Sequence, residues 1–140
     1  MRFSLDRTMI VRKPIPDNAV TYELPHMPPS TNNLYANVPG RGRVKTRQYE
    51  DWLQTMGLLL RRQGLGRLTG RVDVVISLED KHPRRDCDNA AKPCLDLLVK
   101  LGVLQDDNSK FVRSVKAEWA PITGIRIDIR PYSFSAGASA

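Results

Sequence analysis

Carboxylates cluster in two places of this chain, at Asp86 and Asp88 and again at Asp106 and Asp107. In an extended segment, Asp86 and Asp88 point to the same side with Cβ atoms roughly 6 to 7 Å apart, so both can contact one hard cation. A third carboxylate from Asp107 would complete a shallow site that leaves positions open for water and phosphate oxygens. Because Mg²⁺ is usually bound by few carboxylates plus substrate phosphate, we predict a Mg²⁺ site here, with Mn²⁺ as a substitute ion. Such an ion would activate water for in-line attack on a phosphodiester.

Lys92 lies four residues after Asp88 and shares its face if this turn is helical. Its ammonium could balance the carboxylates or stabilise a charged transition state. A structural interpretation also stays open, in which Asp88 caps a helix, residues 106–108 form a turn and Lys92 is an ordinary surface charge. Other metal sites do not fit, because an EF-hand loop has different spacing and the chain has only two histidines.

Two groups of basic residues flank the carboxylates. The first occupies alternate positions and the second directly precedes Asp86: Arg41, Arg43, Lys45 and Arg47, then Lys81, Arg84 and Arg85. If the first segment is extended, its cations face one way about 6 to 7 Å apart, which matches the phosphate spacing along a nucleic-acid strand. Tyr35 could stack on a base or a sugar beside them. The alternative is an ordinary solvated basic loop.

Hydrophobic periodicity predicts the elements that would position these residues. Apolar alternation indicates strands over residues 19–24, 70–78, 111–119 and 124–130. Helical spacing indicates one helix between Thr46 and Gly64 and a second that ends near Lys100. The order β-α-β-α-β-β predicts an α/β fold, a small single domain with a mixed sheet of about four strands and two main helices.

The sequence also predicts where the second helix begins, how the strands are connected and where the domain ends. Pro93 places the start of the second helix between Asn89 and Lys92, because proline is tolerated in the first turn of a helix. Residues 30–45 are expected to be a loop, and the last two strands are expected to form a hairpin. We divide the chain into an N-terminal arm at 1–18, a domain at 19–131 and a disordered tail at 132–140.

Length and composition limit the class of protein. The chain has 140 residues, 41% of them hydrophobic, and a formal net charge of +7. That charge favours a polyanionic partner, although charge alone does not distinguish nucleic acid from an acidic membrane. The pattern contains neither a membrane-spanning run nor a secretory signal, so we expect a cytoplasmic protein without a membrane partner. Cys87 and Cys94 are expected to be reduced, because their spacing on one helix is too wide for a disulfide.

The segment from Asp86 to Leu98, with Leu101 to Asp107 after it, resembles the signature of the RusA family of Holliday-junction resolvases. The upstream Pro28-Pro29-Ser30-Thr31-Asn32-Asn33-Leu34-Tyr35 resembles that family's proline-serine-asparagine motif at about the expected distance. The resemblance covers roughly residues 19 to 130. The chain departs from the family pattern at three places: the arm at 1–18, the glycine-arginine loop at 39–43 and the small-residue tail. These departures leave the substrate preference open.

The resemblance implies a homodimeric, Mg²⁺-dependent endodeoxyribonuclease, encoded by a prokaryote or a phage, that resolves four-way DNA junctions by paired nicks in recombination and repair. Carried over position by position, it implies a metal site of Asp86, Asp88 and Asp107, with Lys92 as the functional lysine. It gives supporting roles to four further residues: Asp106, Asn89, Asn32 and Asn33.

Three rival functions stay open from the sequence. A nuclease preferring forks or flaps would cleave those substrates at least as well as four-way junctions. A nucleic-acid-binding module without catalysis would bind in a way that Mg²⁺ barely changes, with Asp86 and Asp88 as helix caps. A membrane-surface protein would need a basic amphipathic helix, and the segment from Thr46 to Gln63 lacks a strongly basic polar face.

Overall fold

A four-stranded mixed sheet, two helices and a small separate hairpin build the part of the chain that the computed structural model describes, residues 19–68 and 70–132. In chain order the elements are β1 (Val20–Leu24), β2 (Tyr35–Val38), β3 (Gly42–Lys45), α1 (Arg47–Gln63), β4 (Val72–Glu79), α2 (Cys87–Lys100), β5 (Val112–Ala120) and β6 (Ile125–Pro131). The predicted α/β domain with four sheet strands and two helices is confirmed. The predicted arm at 1–18 and all of the predicted tail except Tyr132 lie outside the described residues.

The sheet has the strand order β1-β6-β4-β5, with β5 parallel to β4 and the other neighbours antiparallel. The prediction that the last two strands form a hairpin is therefore wrong, because β4 lies between them. The chain passes across the end of β4, where the amide of Glu79 donates to the carbonyl of Gly124 at 2.9 Å and the amide of Asp80 donates to that of Ala120 at 3.2 Å. Helix α2 supplies the connection that parallel pairing of β4 and β5 requires.

The core lies against one face of the sheet. Alternate residues of β4, namely Val72, Val74, Ile76 and Leu78, are at most 1% exposed. They pack with the apolar stripes of both helices in a single buried cluster. The intervening residues point to the opposite face, which carries polar and charged side chains on β1, β5 and β6. Burial of the apolar face is the main stabilising term for a sheet of this kind.

Helix α1 begins and ends where its local sequence predicts. The Thr46 hydroxyl accepts a hydrogen bond from the amide of Tyr49 at 3.1 Å, which satisfies one free donor of the first turn. Gly64 ends the helix at φ +90°, a conformation that residues with a Cβ rarely adopt.

Helix α2 begins earlier than predicted. Its first residue is Cys87, with Asp86 at the N-cap, so Pro93 lies inside the helix and not in its first turn. Proline there has no N–H for the carbonyl of Asn89, which costs one helical hydrogen bond. The helix continues nevertheless because Pro93 and its neighbours Cys94 and Leu95 are buried against the core. Tertiary packing thus overrides a local preference.

Residues 30–45 are not the loop that was predicted. A single 3-10 turn over Thr31–Asn33 leads into the antiparallel pair β2 and β3. The amide of Thr46 donates to the carbonyl of Leu34 at 2.9 Å, which joins the base of this hairpin to the start of α1. The hairpin is therefore held in a defined place beside the first turns of α2.

Candidate active site

The two carboxylates that the sequence places before α2 lie at its N-terminus. Asp86 is the N-cap residue, yet its side chain makes no capping hydrogen bond, and Asp88 lies in the first turn. Within residues 19–68 and 70–132, neither carboxylate forms a salt bridge. Negative charge at a helix N-terminus is favourable, and here it is left available to a ligand.

Two adjoining cavities surround this helix start. One, of about 470 Å³, is lined by Thr31, Leu34, Tyr35, Arg43, Asp88, Asn89 and Lys92. The other, of about 280 Å³, is lined by Ser30, Thr31, Asn32, Arg84, Arg85, Asp86 and Asn89. Thr31 and Asn89 line both, so the upstream 3-10 turn meets the start of α2 at their boundary. Asp86 and Asp88 thus face different but neighbouring cavities.

Lys92 lies in the second turn of α2 and is paired with two carboxylates. Its Nζ donates to Oδ2 of Asp107 at 2.8 Å and lies 3.3 Å from Oδ1 of Asp96. The hydrogen bond from Lys92 lowers the pKa of Asp107, and the same bond raises the pKa of Lys92. At neutral pH, Asp107 is therefore a carboxylate and Lys92 an ammonium.

Asp96 is a residue whose contacts differ from those that the sequence suggests. Its spacing from Lys100 is typical of a surface pair on a helix. In the structure, Oδ2 of Asp96 accepts a hydrogen bond from the hydroxyl of Tyr49 at 2.7 Å, while Oδ1 faces Lys92. Burial and this bond to Asp96 raise the pKa of Tyr49, so its hydroxyl stays a donor. Asp96 thereby links Tyr49, on the buried face of α1, to Lys92.

The third predicted carboxylate, Asp107, is held by its neighbours. Oδ1 of Asp106 accepts the amide of Asp107 at 2.7 Å, and Oδ2 of Asp106 accepts Nδ2 of Asn108 at 3.1 Å. Asp106 thus orders the loop that carries Asp107. Asn33, another predicted supporting residue, donates to Ser30 at 2.9 Å and lines neither cavity.

A metal ion is implied by the carboxylates, and their chemistry fits one. Asp86 and Asp88 offer exposed oxygen ligands of the kind that Mg²⁺ and Mn²⁺ prefer. Among the residues that the structure describes, however, no three His, Cys, Asp or Glu side chains form a group ready to hold a metal. The predicted trio is not assembled as such, because Asp107 is turned onto the ammonium of Lys92. The donor set therefore fits a shallow site that substrate oxygens must help to complete.

The first basic group is divided among three elements. Arg43 and Lys45 are both on β3 and share a face, whereas Arg41 lies in the preceding turn and Arg47 is the first residue of α1. The extended row is thus shorter than predicted. The Arg43 guanidinium lies 4.4 Å from the centroid of the Tyr35 ring, and both side chains line the larger cavity.

The second basic group adjoins the smaller cavity. Lys81 and Arg84 are exposed, whereas Arg85 is half-buried and its Nη2 donates to the carbonyl of Pro29 at 3.3 Å. Burial lowers the pKa of Arg85. The loop is further held by His82, whose Nε2 lies 2.9 Å from Oε2 of Glu79. Sequence spacing gives no signal for the contact between His82 and Glu79. It also gives no signal that Thr31 and Leu34 line a cavity.

Comparison with known proteins adds one match. The family model described as Endodeoxyribonuclease RusA matches residues 25–130, more than half of the chain. The matched range contains the 3-10 turn, both cavities and all the carboxylates discussed above. No curated protein matches the chain. In the described ranges, none of the helices combines the length and apolar character needed to cross a membrane.

Proposed function

Because the chain belongs to the RusA endodeoxyribonuclease family, we propose that it is a Mg²⁺-dependent enzyme that resolves four-way DNA junctions in recombination and repair. The reaction is the paired hydrolysis of phosphodiester bonds. One observation carries the proposal. Asp86 and Asp88 stand at the start of α2 beside adjoining cavities, without a capping bond or a described salt bridge. Carboxylates with only a structural role would be expected to use their oxygens in such bonds.

We assign the metal site to Asp86, Asp88 and Asp107, and Asp107 must exchange its contact with Lys92 for the ion when the site is completed. Mg²⁺, or Mn²⁺ in its place, would supply Lewis-acid activation of water and of the scissile phosphate. The chain's own part is to present charged oxygens at a shallow surface that a phosphate can approach. The lowered pKa of Asp107 keeps that carboxylate ionised, and Asp106 fixes its loop.

Lys92 holds the charge balance of this site. Its ammonium pairs with both Asp107 and Asp96, and Lys92 also lines the cavity that Asp88 faces. Negative charge that develops on the phosphate can draw on the same ammonium, which is held in place from two sides. Tyr49 and Asp96 act through Lys92 and are positioning residues.

The basic residues bind the DNA backbone in this proposal. Arg43 lines the larger cavity and Lys45 follows it on the same face of β3, while Arg84 lines the smaller cavity together with Asp86. Lys81 lies in the loop that precedes Arg84. Contacts of this kind supply affinity and register without reading sequence. Arg85 is anchored to Pro29 and shapes the loop, while Asn32 and Asn89 line the cavity walls.

A four-way junction has two strands to cut, so we propose a homodimer with one site on each subunit. The catalytic domain is residues 19–131, between an arm at 1–18 and a tail at 132–140. We further propose a cytoplasmic enzyme, encoded by a prokaryote or a phage, in which the free thiols of Cys87 and Cys94 stay reduced. Sedimentation at micromolar concentration tests the dimer, and a mass near that of one chain would contradict it.

The test of the proposed catalysis compares three proteins on a synthetic four-way junction and on linear duplex of the same sequence. The wild-type chain is expected to nick the junction with Mg²⁺ and not with EDTA. Asp88→Asn is expected to lose cleavage by at least about 100-fold while junction binding persists. Asp51→Asn is the matched control, because Asp51 is exposed on α1 and lines neither cavity.

Retained cleavage in Asp88→Asn would refute the assigned metal site. Tight binding by the wild-type chain without cleavage under any metal would favour the non-catalytic module. Equal or faster cleavage of forks or flaps would show that four-way junctions are not the preferred substrate.

A further inference from the structure

The larger cavity is built differently from a phosphate site. Its walls include the apolar side chain of Leu34 and the ring of Tyr35, and the carboxylate of Asp88 faces it. The one ammonium at its edge, that of Lys92, is already paired with Asp107 and Asp96. Arg43 also lines the cavity, with its guanidinium 4.4 Å from the centroid of the Tyr35 ring. A phosphate entering this space would therefore meet one guanidinium, but also an apolar wall and a negative charge. A flat, uncharged group avoids both costs.

Tyr35 and Arg43 make a stacking surface along this cavity. The guanidinium of Arg43 lies 4.4 Å from the ring centroid, and Tyr35 contacts Tyr49 edge to face, with centroids 5.8 Å apart. These contacts fix the Tyr35 ring from behind and from one side. A rigid aromatic ring beside a guanidinium is the combination on which nucleobases stack in proteins that bind single strands.

Uncharged polar groups also line the cavity. Thr31 and Asn89 line it, and an Asn amide offers both donor and acceptor atoms to the edge of a base. The volume of about 470 Å³ is within the range of pockets that hold small flat ligands. The cavity therefore combines a stacking wall, an apolar wall and a hydrogen-bonding wall.

We propose that this cavity, the base pocket, receives one unstacked nucleobase of the bound DNA strand. The inference rests on the proposed function, because Asp88 lies on the wall of the same cavity and puts the base beside the cleaved phosphate. Bases at a branch point are the easiest to unstack, since part of their stacking is already lost. The pocket would thus help select branched DNA over uniform duplex, in addition to the backbone contacts.

The test is a scan of the four-way junction with a single abasic nucleotide, placed in turn at each position next to the cleavage site. Junction dissociation constants are measured with Ca²⁺ in place of Mg²⁺ for the wild-type chain and Tyr35→Ala. On the intact junction, Tyr35→Ala is expected to weaken binding roughly 5- to 150-fold, the range for one stacked base. At one position the abasic junction should bind both proteins equally, because the stacking partner is gone.

Three further variants make the scan specific. Tyr35→Phe keeps the ring and is expected to behave as the wild-type chain, since no described residue bonds to the Tyr35 hydroxyl. Arg43→Gln is expected to show the same position-dependent pattern with a smaller loss. Tyr132→Ala is the matched control, because it removes another Arg-Tyr stack of the same 4.4 Å distance, with Arg113, near the start of β4. Tyr132→Ala is expected to bind every junction as the wild-type chain does.

The base pocket is refuted if Tyr35→Ala weakens binding by the same factor on every abasic junction, or weakens it on none. The proposed function is judged separately, by cleavage of the intact junction with Mg²⁺. A wild-type chain that cleaves the junction but shows no position-dependent loss retains its proposed function and loses the base pocket.

Discussion

Lys92 has two contacts with carboxylates, those of Asp107 and Asp96, and it also lines the cavity that Asp88 faces. Pairing with two carboxylates holds the ammonium in one place and reduces the reorganisation needed when charge develops nearby. The contact with Asp107 joins residues 15 apart in the chain, and the contact of Asp96 with Tyr49 joins residues 47 apart. Spacing along α2 alone therefore accounts for one of the three contacts, that of Lys92 with Asp96.

Replacement of Lys92 should reduce cleavage far more than binding. Lys92→Met removes the ammonium but keeps the length of the side chain, and we expect a loss of about 100-fold in single-turnover cleavage of a four-way junction. The control is Lys100→Met, which removes a lysine from the last turn of the same helix, away from both cavities. Equal activity of the two variants would show that Lys92 is only a surface charge.

Cys94 should be inert as long as the protein is folded. Burial raises the pKa of its thiol to about 12, so at pH 8 only about one molecule in ten thousand carries the thiolate that alkylating reagents need. Cys87 is only half-buried and serves as the internal control. We expect mass spectrometry after brief iodoacetamide treatment to find Cys94 unmodified in native protein and modified in urea. Equal modification of both cysteines without urea would contradict this packing.

At the scale of elements, Gly124 fixes how the turn between β5 and β6 meets β1. It has φ +78°, and a Cβ there would lie 2.0 Å from the carbonyl oxygen of Leu24. Gly124→Ala must displace backbone, so we expect the free energy of unfolding in urea to fall by about 3 kcal/mol or more. Gly40→Ala is the matched control, because Gly40 has φ +77° with nothing within 4 Å of a Cβ. It should lose only about 1 kcal/mol, from backbone strain alone.

The elements that the sequence predicts correctly are those determined by residues close together in the chain. The Thr46 cap, the Gly64 stop and the alternation in β4 each depend on residues a few positions apart. The wrong hairpin of β5 and β6 has a non-local cause, since either strand could pair with β4 and only the packed sheet decides that both do. The start of α2 was misplaced because burial of Pro93 outweighs its missing hydrogen bond.

The candidate site was predictable to a similar degree. Residue types identify Asp86, Asp88 and Lys92, which lie at the start of α2. The predicted extended segment is wrong, because the helix begins at Cys87 and Asp86 and Asp88 face different cavities. The cavity beside them depends on the hairpin of β2 and β3, where the sequence predicts a loop. Because Arg43 meets Tyr35 only when that hairpin forms, their stacking surface could not be predicted from the order of residues.

Over the whole molecule, the net charge is +7, and the cations of the described residues differ in whether a carboxylate pairs with them. Three cations on the strands pair with carboxylates, in Arg113 with Asp73, Lys116 with Glu118 and Arg126 with Glu23. The basic residues of β3 and of the turn before it form no such pairs within the described part of the chain. Those cations therefore have no carboxylate partner, within the described residues, that would compete with DNA phosphates.

This distribution predicts which lysines contribute to the salt dependence of DNA binding. Lys45→Ala should lower the slope of log Kd against log salt by about one, as expected for one lost phosphate contact. Lys116→Ala should leave the slope unchanged, because Lys116 lies on a strand away from both cavities and is paired with Glu118. Fluorescence anisotropy titrations at several salt concentrations measure both slopes. Equal slopes for the two variants would contradict a localised DNA-binding surface.

The proposed enzyme makes paired, metal-dependent nicks at a four-way junction. A supercoiled plasmid that extrudes a cruciform tests it most directly, because two coordinated nicks linearise the plasmid and one nick only relaxes it. With Mg²⁺ we expect linear product from the cruciform plasmid, no product in EDTA and no product from the same plasmid without the inverted repeat. Relaxed circles alone, or equal cleavage of both plasmids, would contradict the account.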